Sequence, residues 1–291
     1  RHKLFDGNHL QSKDDVPKSS ALTYLSIELA KQGRFEQSLD LIEDGLSSSP
    51  DDENLVWARG NVFFLAEQYE EALDDFSQMD PTEGVEYKIG ECCMKLERYP
   101  QAVAAFRHAQ QLGSTEPELR LKYGIALFGI SPSECVAYFE NLENKKGDEY
   151  LVLAEAYKAV SLYKKAIKAF KIGIHNSNNV ESISRAYRRM SQCYLKMNRA
   201  KEMAQAAEEH LKSYPNNVHV VTLLALAYHW SHQYTLSLDM AKRALDLDKQ
   251  YAWAANVCGC TLYRQGKYEE AIPYLLKGLK TEESRCVILY L

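Results

Sequence analysis

A small residue returns about every 34 positions along this chain, and no other feature limits its fold as tightly. The positions are Ser26, Gly60, Gly90, Gly124, Ala154, Ser191, Ala225 and Gly259. In most units a second small residue follows twelve positions later, at Ser38, Ala72, Ala102, Ala166, Ser237 and Ala271. Nine residues after the first small residue stands an aromatic: Phe35, Tyr69, Tyr99, Tyr163, Tyr234 and Tyr268. A period in this range marks a stacked array of helical units. Where two helices cross closely, a large side chain at the contact forces the backbones apart, so both contact positions stay small. The aromatic fills the wedge at the open end of the pair.

These residues carry a resemblance to the tetratricopeptide repeat. The fullest copies are Gly259, Leu262, Gly266, Tyr268 and Ala271, and then Gly90, Tyr99, Ala102, Phe106 and Ala109. Pro50 and Pro215 stand at unit ends, where the family often stops its second helix. The resemblance implies an all-α fold, a right-handed α-solenoid of stacked antiparallel helix pairs. With the aromatic as phase marker the units run 19–52, 53–82, 83–116, 117–146, 147–183, 184–217, 218–251 and 252–285, as one solenoid. The fourth turns at Ser131-Pro132-Ser133, lacks the aromatic, and offers Cys135 or Val136 at its second small position. The sixth has Ala200 for the aromatic and Met203 for the small residue. Residues 1–18 read as a lead-in or cap, with Ser19 or Ser20 capping the first helix, and 286–291 as the start of a further or capping helix.

Net charge is −5, which argues against a general nucleic-acid binder, since such proteins rely on clustered Lys and Arg. No stretch approaches the roughly 20 apolar residues that span a bilayer. The chain opens at Arg1, without Met, so a fragment or processed form is expected. Seven cysteines form no framework spacing and read as buried free thiols, and no Asn-X-Ser/Thr sequon occurs, in keeping with a cytoplasmic location. Cys258, Cys260, His229 and His232 match no zinc spacing, with Cys258 expected inward and Cys260 toward the groove. No Gly-rich phosphate loop, His-Glu-x-x-His, Cys-x-x-Cys or nucleophile elbow is present, so neither an enzyme nor a cofactor or metal site is expected. Acidic pairs such as Glu70-Glu71, Asp74-Asp75 and Glu269-Glu270 read as solvated faces of second helices.

In the family the first helix of each pair lines the concave surface, and the resemblance carries three zones onto this chain. The first four units contribute Trp57, Asn61, Phe64, Tyr87 and Phe128, with Glu91, Met94, Leu121 and Ile125 beside them. The sixth contributes Arg185, Arg188, Arg189 and Lys196. The last two contribute His229, Trp230, Trp253, Asn256 and Tyr263, with His219, Leu226, Cys260 and Arg264. Each zone also has a plainer reading, as helix packing or as a solvated face. Arginine suits a carboxylate or phosphate clamp, because its planar donor set grips either anion bidentately.

Some members of the family clamp the C-terminal carboxylate of heat-shock chaperones through a Lys, Asn, Asn, Lys and Arg set. Here Trp57, Lys88 and Glu118 occupy positions that the clamp gives to Lys, Asn and Lys, and an acid there repels a carboxylate. The function implied is a non-enzymatic module that binds a peptide segment or helix of a protein partner along its groove. That segment carries apolar anchors and acidic or phosphorylated residues. Two alternatives stay open: a structural subunit of an assembly or a homo-oligomer held through the apolar C-terminal end, and a chaperone for a secreted or aggregation-prone protein.

Overall fold

The computed structural model describes residues 18–279. Among the described residues the chain forms sixteen α-helices and no strand. They are α1 Lys18–Lys31, α2 Phe35–Ser48, α3 Glu53–Leu65, α4 Tyr69–Ser77, α5 Glu83–Lys95, α6 Tyr99–Gln111, α7 Leu119–Ile130 and α8 Pro132–Asn141. The chain continues with α9 Gly147–Ala159, α10 Tyr163–Asn176, α11 Val180–Lys196, α12 Ala200–Ser213, α13 Val218–Trp230, α14 Tyr234–Leu247, α15 Ala252–Arg264 and α16 Tyr268–Gly278. The lead-in expected over 1–18 lies, save Lys18, outside the described residues, as does the apolar 286–291. Ser19 and Ser20, expected to precede and cap the first helix, lie within the first turn of α1.

Odd and even helices differ in how they begin. Several odd helices have a side-chain cap: Asp52 accepts from the N–H groups of Asn54 and Leu55, Thr82 from Val85, Asn179 from Ser182, and Asn217 from His219 and Val220. Glu149 achieves the same result from inside α9, its buried carboxylate accepting the Lys146 N–H at 2.7 Å. Most even helices instead open on the periodic aromatic, after a short turn with a left-handed backbone. Gly33, Glu67, Glu97, Ser161, Asn198, His232 and Gly266 all have φ between 54° and 77° and all stand two residues past an odd helix. A single left-handed residue reverses the chain within three residues, so each such pair runs antiparallel. The α7–α8 connection has no such turn, Ser131 being extended and Pro132 opening α8 directly.

By its contacts the chain divides into two compact units, Arg1–Tyr138 and Phe139–Leu291. In the first, α3 packs on α4 and α5 on α6, and each even helix also packs on the following odd one. The small residues admit these contacts. A Cβ built on Gly90 comes within 2.5 Å of the Phe106 ring, and one on Gly60 within 2.8 Å of Phe76. Both rings are fully buried, so glycine is the residue that lets each phenyl lie flat on the opposing helix. Where both positions are serines they also bond, Ser38 Oγ donating to the Ser26 carbonyl at 2.7 Å. Tyr69 packs edge-on to Phe64, ring centroids 5.4 Å apart, while the Tyr99 ring lies over Gly129 of the next odd helix.

One acid departs from its expected place. Asp75 is 4 % exposed rather than solvated, and it takes a bidentate pair from Arg59, with Nε to Oδ2 at 3.0 Å and the terminal nitrogen to Oδ1 at 2.6 Å. In the second unit the core runs through Phe139, Phe170, Met203, Val220, Val221 and Val257, all fully buried. Met203 therefore fills the place a small residue holds elsewhere, and in the first unit Cys135 rather than Val136 does so, at 0 % exposure.

Candidate partner-binding cavity

In the second unit α9, α11, α13 and α15 stand side by side, each in contact with the next. The i, i+4 rows of their helices put Arg188, Gln192 and Lys196 on one strip of α11, and Leu226 and Trp230 on one strip of α13. Between these strips lies a cavity of about 490 Å³. Four cations line it, Lys158, Arg188, Arg189 and Lys196, together with the apolar surfaces of Tyr163, Leu195, Leu226, Trp230 and Trp253. Among the described residues no carboxylate lines it. Trp253 is 3 % exposed and forms floor rather than rim. Ser191, the small residue of α11, turns its hydroxyl back to the Arg188 carbonyl at 2.7 Å and leaves the volume above it open.

Two of these cations, Arg189 and Lys158, are held only loosely by Glu155. Its carboxylate lies 3.4 Å from Arg189 and 3.6 Å from Lys158, both longer than the 2.7–2.9 Å of a tight charge-assisted bond. Trp230 carries a further unsettled group, its Nε1–H being buried without an acceptor. Behind the floor, His229 is 4 % exposed and bonded through Nδ1 to Thr261 Oγ1 at 2.8 Å. The Thr261 hydroxyl gives its proton to the Val257 carbonyl at 2.7 Å, so it accepts from His229, which fixes the proton on Nδ1. Burial, with Arg264 and His232 nearby, lowers the His229 pKa to about 4.

The basic and aromatic zones, separate in the sequence, thus meet in one cavity through Arg188, Arg189, Lys196, Trp230 and Trp253. Arg185 is exposed and does not line it. His229 and Asn256 are buried within the helix packing, Asn256 Nδ2 donating to the Gly278 carbonyl at 3.4 Å. Tyr263 is exposed and pairs edge-on with Tyr268. Cys258 and Cys260, expected to diverge, are both buried, and burial pushes each thiol up to about 11. Among the described residues no three His, Cys, Asp or Glu side chains form a group able to hold a metal. Lys158, Tyr163, Gln192, Leu195 and Asn198 are among the lining residues absent from the sequence-derived zones. Lys158 lies on α9, the first helix of its pair, which is the helix the resemblance assigns to the inner surface.

In the first unit the corresponding face is closed by its own pairs. Glu91 accepts from Lys88 at 2.8 Å and from Lys122, which also reaches the Tyr87 hydroxyl at 2.8 Å and Glu118 at 3.0 Å. Lys88 lies 4.8 Å over the Phe64 ring and Lys122 5.0 Å over Tyr87. Burial opposes the charge on Lys122, yet its bonds to Glu91, Tyr87 and Glu118 outweigh that and raise its pKa. Burial likewise opposes the charge on Glu91, and the two lysines outweigh it and lower its pKa. Trp57 packs against Phe76 at 5.1 Å and accepts at its carbonyl from Asn61 Nδ2 at 2.8 Å, Tyr87 is buried, and Phe128 is half-buried.

Comparison with known families places two stretches of the chain. Residues 31–109 match the family model of anaphase-promoting complex, cyclosome, subunit 3, and residues 256–284 match the tetratricopeptide repeat. The fold is that of a tetratricopeptide-repeat array. Repeats of this family generally serve as scaffolds for protein–protein interaction. Among solved structures, a tetratricopeptide repeat protein from Parabacteroides merdae matches at TM-score 0.53 and 12 % identity, over 84 % of this chain and 98 % of that one. The crystal structure of the APC/C hetero-tetramer Cut9-Hcn1 matches at TM-score 0.48 and 17 % identity, over 83 % of this chain. The match spans about half, 48 %, of that repeat chain. No curated protein matches. Among the described residues of this repeat protein, no helix is long and apolar enough to cross a membrane.

Proposed function

We propose that this repeat protein is a non-enzymatic interaction module, and that a segment of a protein partner seats in the cavity of its second unit. One observation carries the reading: the cavity between α9, α11, α13 and α15 joins four cations to two indoles, with no carboxylate in its lining among the described residues. Ligand sites are typically concave and largely apolar, with a few converging polar groups, and span roughly 300–1,000 Å³. A volume of about 490 Å³ falls in that range. Tryptophan and arginine are also the residue types that dominate binding energy when they are gathered at an interface.

The test is selection of random linear peptides, displayed on phage, against the whole chain and against its Arg188→Glu/Arg189→Glu variant. Peptides enriched on the first and absent from the second support the reading. Enrichment of no peptide, or equal enrichment on both, overturns it.

A second reading, a subunit held permanently within an assembly, is favoured by the match of residues 31–109 to the model of anaphase-promoting complex subunit 3. It is separated by mass. A particle of several chains that survives dilution supports assembly, whereas a clean monomer that binds peptide supports the first reading.

A further inference from the structure

We infer that the cavity reads a neighbouring pair of residues in its partner, one bulky and apolar, the other acidic, within the body of the partner chain; the inference rests on the reading just given. Its apolar half is the floor made by Leu226, Trp230 and Trp253. A bulky side chain placed there covers two indole faces and a leucine, which is where burial gains most. The basic half is not remote from that floor but bounds the same volume, so the anion and the apolar group belong to one short stretch of ligand. Adjacent side chains of an extended segment are about 3.3 Å apart along the chain and point to opposite sides, so a pair seated between the two strips turns its anion to α11 and its apolar group to α13.

The anion is a carboxylate. Two of the four lining cations, Lys158 and Arg189, already share the Glu155 carboxylate at 3.6 and 3.4 Å. A single negative charge suits the cations so answered, and a phosphate, carrying about −1.5 to −2 at pH 7, meets repulsion from Glu155 as well. A ligand carboxylate can take the close bidentate position at Arg189 that Glu155, at 3.4 Å, does not fill.

The experiment uses the full chain and fluorescein-labelled Gly-Ser peptides, acetylated and amidated at their ends, carrying one Phe-Asp pair. Anisotropy is expected to show saturable binding, weakened at least about tenfold by Asp→Asn and by Phe→Ala, the size of a lost charge-assisted bond or a lost buried ring. Arg189→Glu is expected to lose the Phe-Asp peptide and to gain the Phe-Lys one, an outcome only a folded variant can give. Equal binding of the Asp and Asn peptides overturns the inference. So does tighter binding when phosphoserine replaces Asp, or no binding by the Phe-Asp peptide at all. If the displayed-library selection still enriches cavity-dependent peptides without such a pair, the inference falls while the proposed function stands.

Discussion

Acid should loosen the second unit through one side chain, His229. The residue is 4 % exposed, between α13 and α15, and burial holds its pKa near 4 against an ordinary 6.5. A histidine with a depressed folded pKa is favoured neutral, so its contribution to stability is complete above pH 6.5. It is lost as pH falls from there toward 4, because the unfolded chain takes up the proton first. Linkage between those two values gives a loss of about 2 kcal/mol on going from pH 7 to pH 5, and about 3 kcal/mol below pH 4. His219 and His210 are also lowered by burial and act in the same direction, so the acid sensitivity of the intact chain is not assigned to His229 by itself.

A variant isolates it. His229→Gln keeps a side-chain N–H able to donate to Thr261 and removes the titration. Urea unfolding, followed by the fluorescence of Trp230 and Trp253, reports on the second unit, with Trp57 the single tryptophan of the first. The stability gap between chain and variant is expected to shift by about 2 kcal/mol between pH 7 and pH 5, the variant being the less acid-sensitive. A gap that is the same at both pH values refutes the argument. It would mean that His229 is accessible enough to protonate in the folded state, or that water reaches the Thr261 bond.

Three further outcomes test the packing. Gly90→Leu drives a branched side chain into the buried Phe106 ring and should cost about 3 kcal/mol or more, whereas Gly90→Ala, regaining about 1 kcal/mol of helix propensity, should cost at most about 2; circular dichroism melts decide both. Glu97→Gly relieves a left-handed residue at φ 57° and should stabilise the first unit by about 0.5–1 kcal/mol, read as a higher Tm. The six described cysteines are all buried, and burial lifts Cys92, Cys135 and Cys193 to about 12; at pH 8 these six should label with a thiol reagent only as the chain unfolds.

The helix pairs were legible because their cause is local and repetitive. Gly60 and Gly90 must be small since Phe76 and Phe106 lie on them, and the same demand recurs at Gly259, where an added Cβ meets Leu275. The site was legible only to the level of a face. Helical period puts Trp253 and Asn256 on one strip, yet it cannot tell floor from interior. Asn256 is sealed in because Gly278 of α16 has no Cβ; one built there comes within 1.5 Å of Asn256 Oδ1. Asp75 was misread for the same kind of reason. Its exposed position on α4 is cancelled by Arg59, 16 residues earlier on α3, and only the pairing of the two helices brings them together. The merging of basic and aromatic zones likewise depends on how α11 meets α13, a contact no spacing within one helix records.

A charged inner face is not in itself a binding face, as the two units illustrate. On the first, Lys88 and Lys122 converge closely on Glu91, and their ammonium groups also rest on Phe64 and Tyr87. A ligand carboxylate arriving there must break bonds that already compensate the desolvation of both lysines, so its gain is offset by what it displaces. On the second, one carboxylate is shared loosely by two cations and a buried indole N–H has no acceptor. A ligand carboxylate at Lys158 and Arg189 displaces only those long contacts. The difference is set by where the carboxylates fall: Glu91 and Glu118 alternate with lysines on α5 and α7, whereas the lining strip of α11 runs Arg188, Gln192 and Lys196 with no acid between them. Gln192→Glu would place a carboxylate on that strip, one turn from both Arg188 and Lys196, where it competes with the ligand's own. It is expected to weaken an acidic ligand at least about tenfold while leaving the helices intact. Unchanged affinity would place the ligand's charge away from α11.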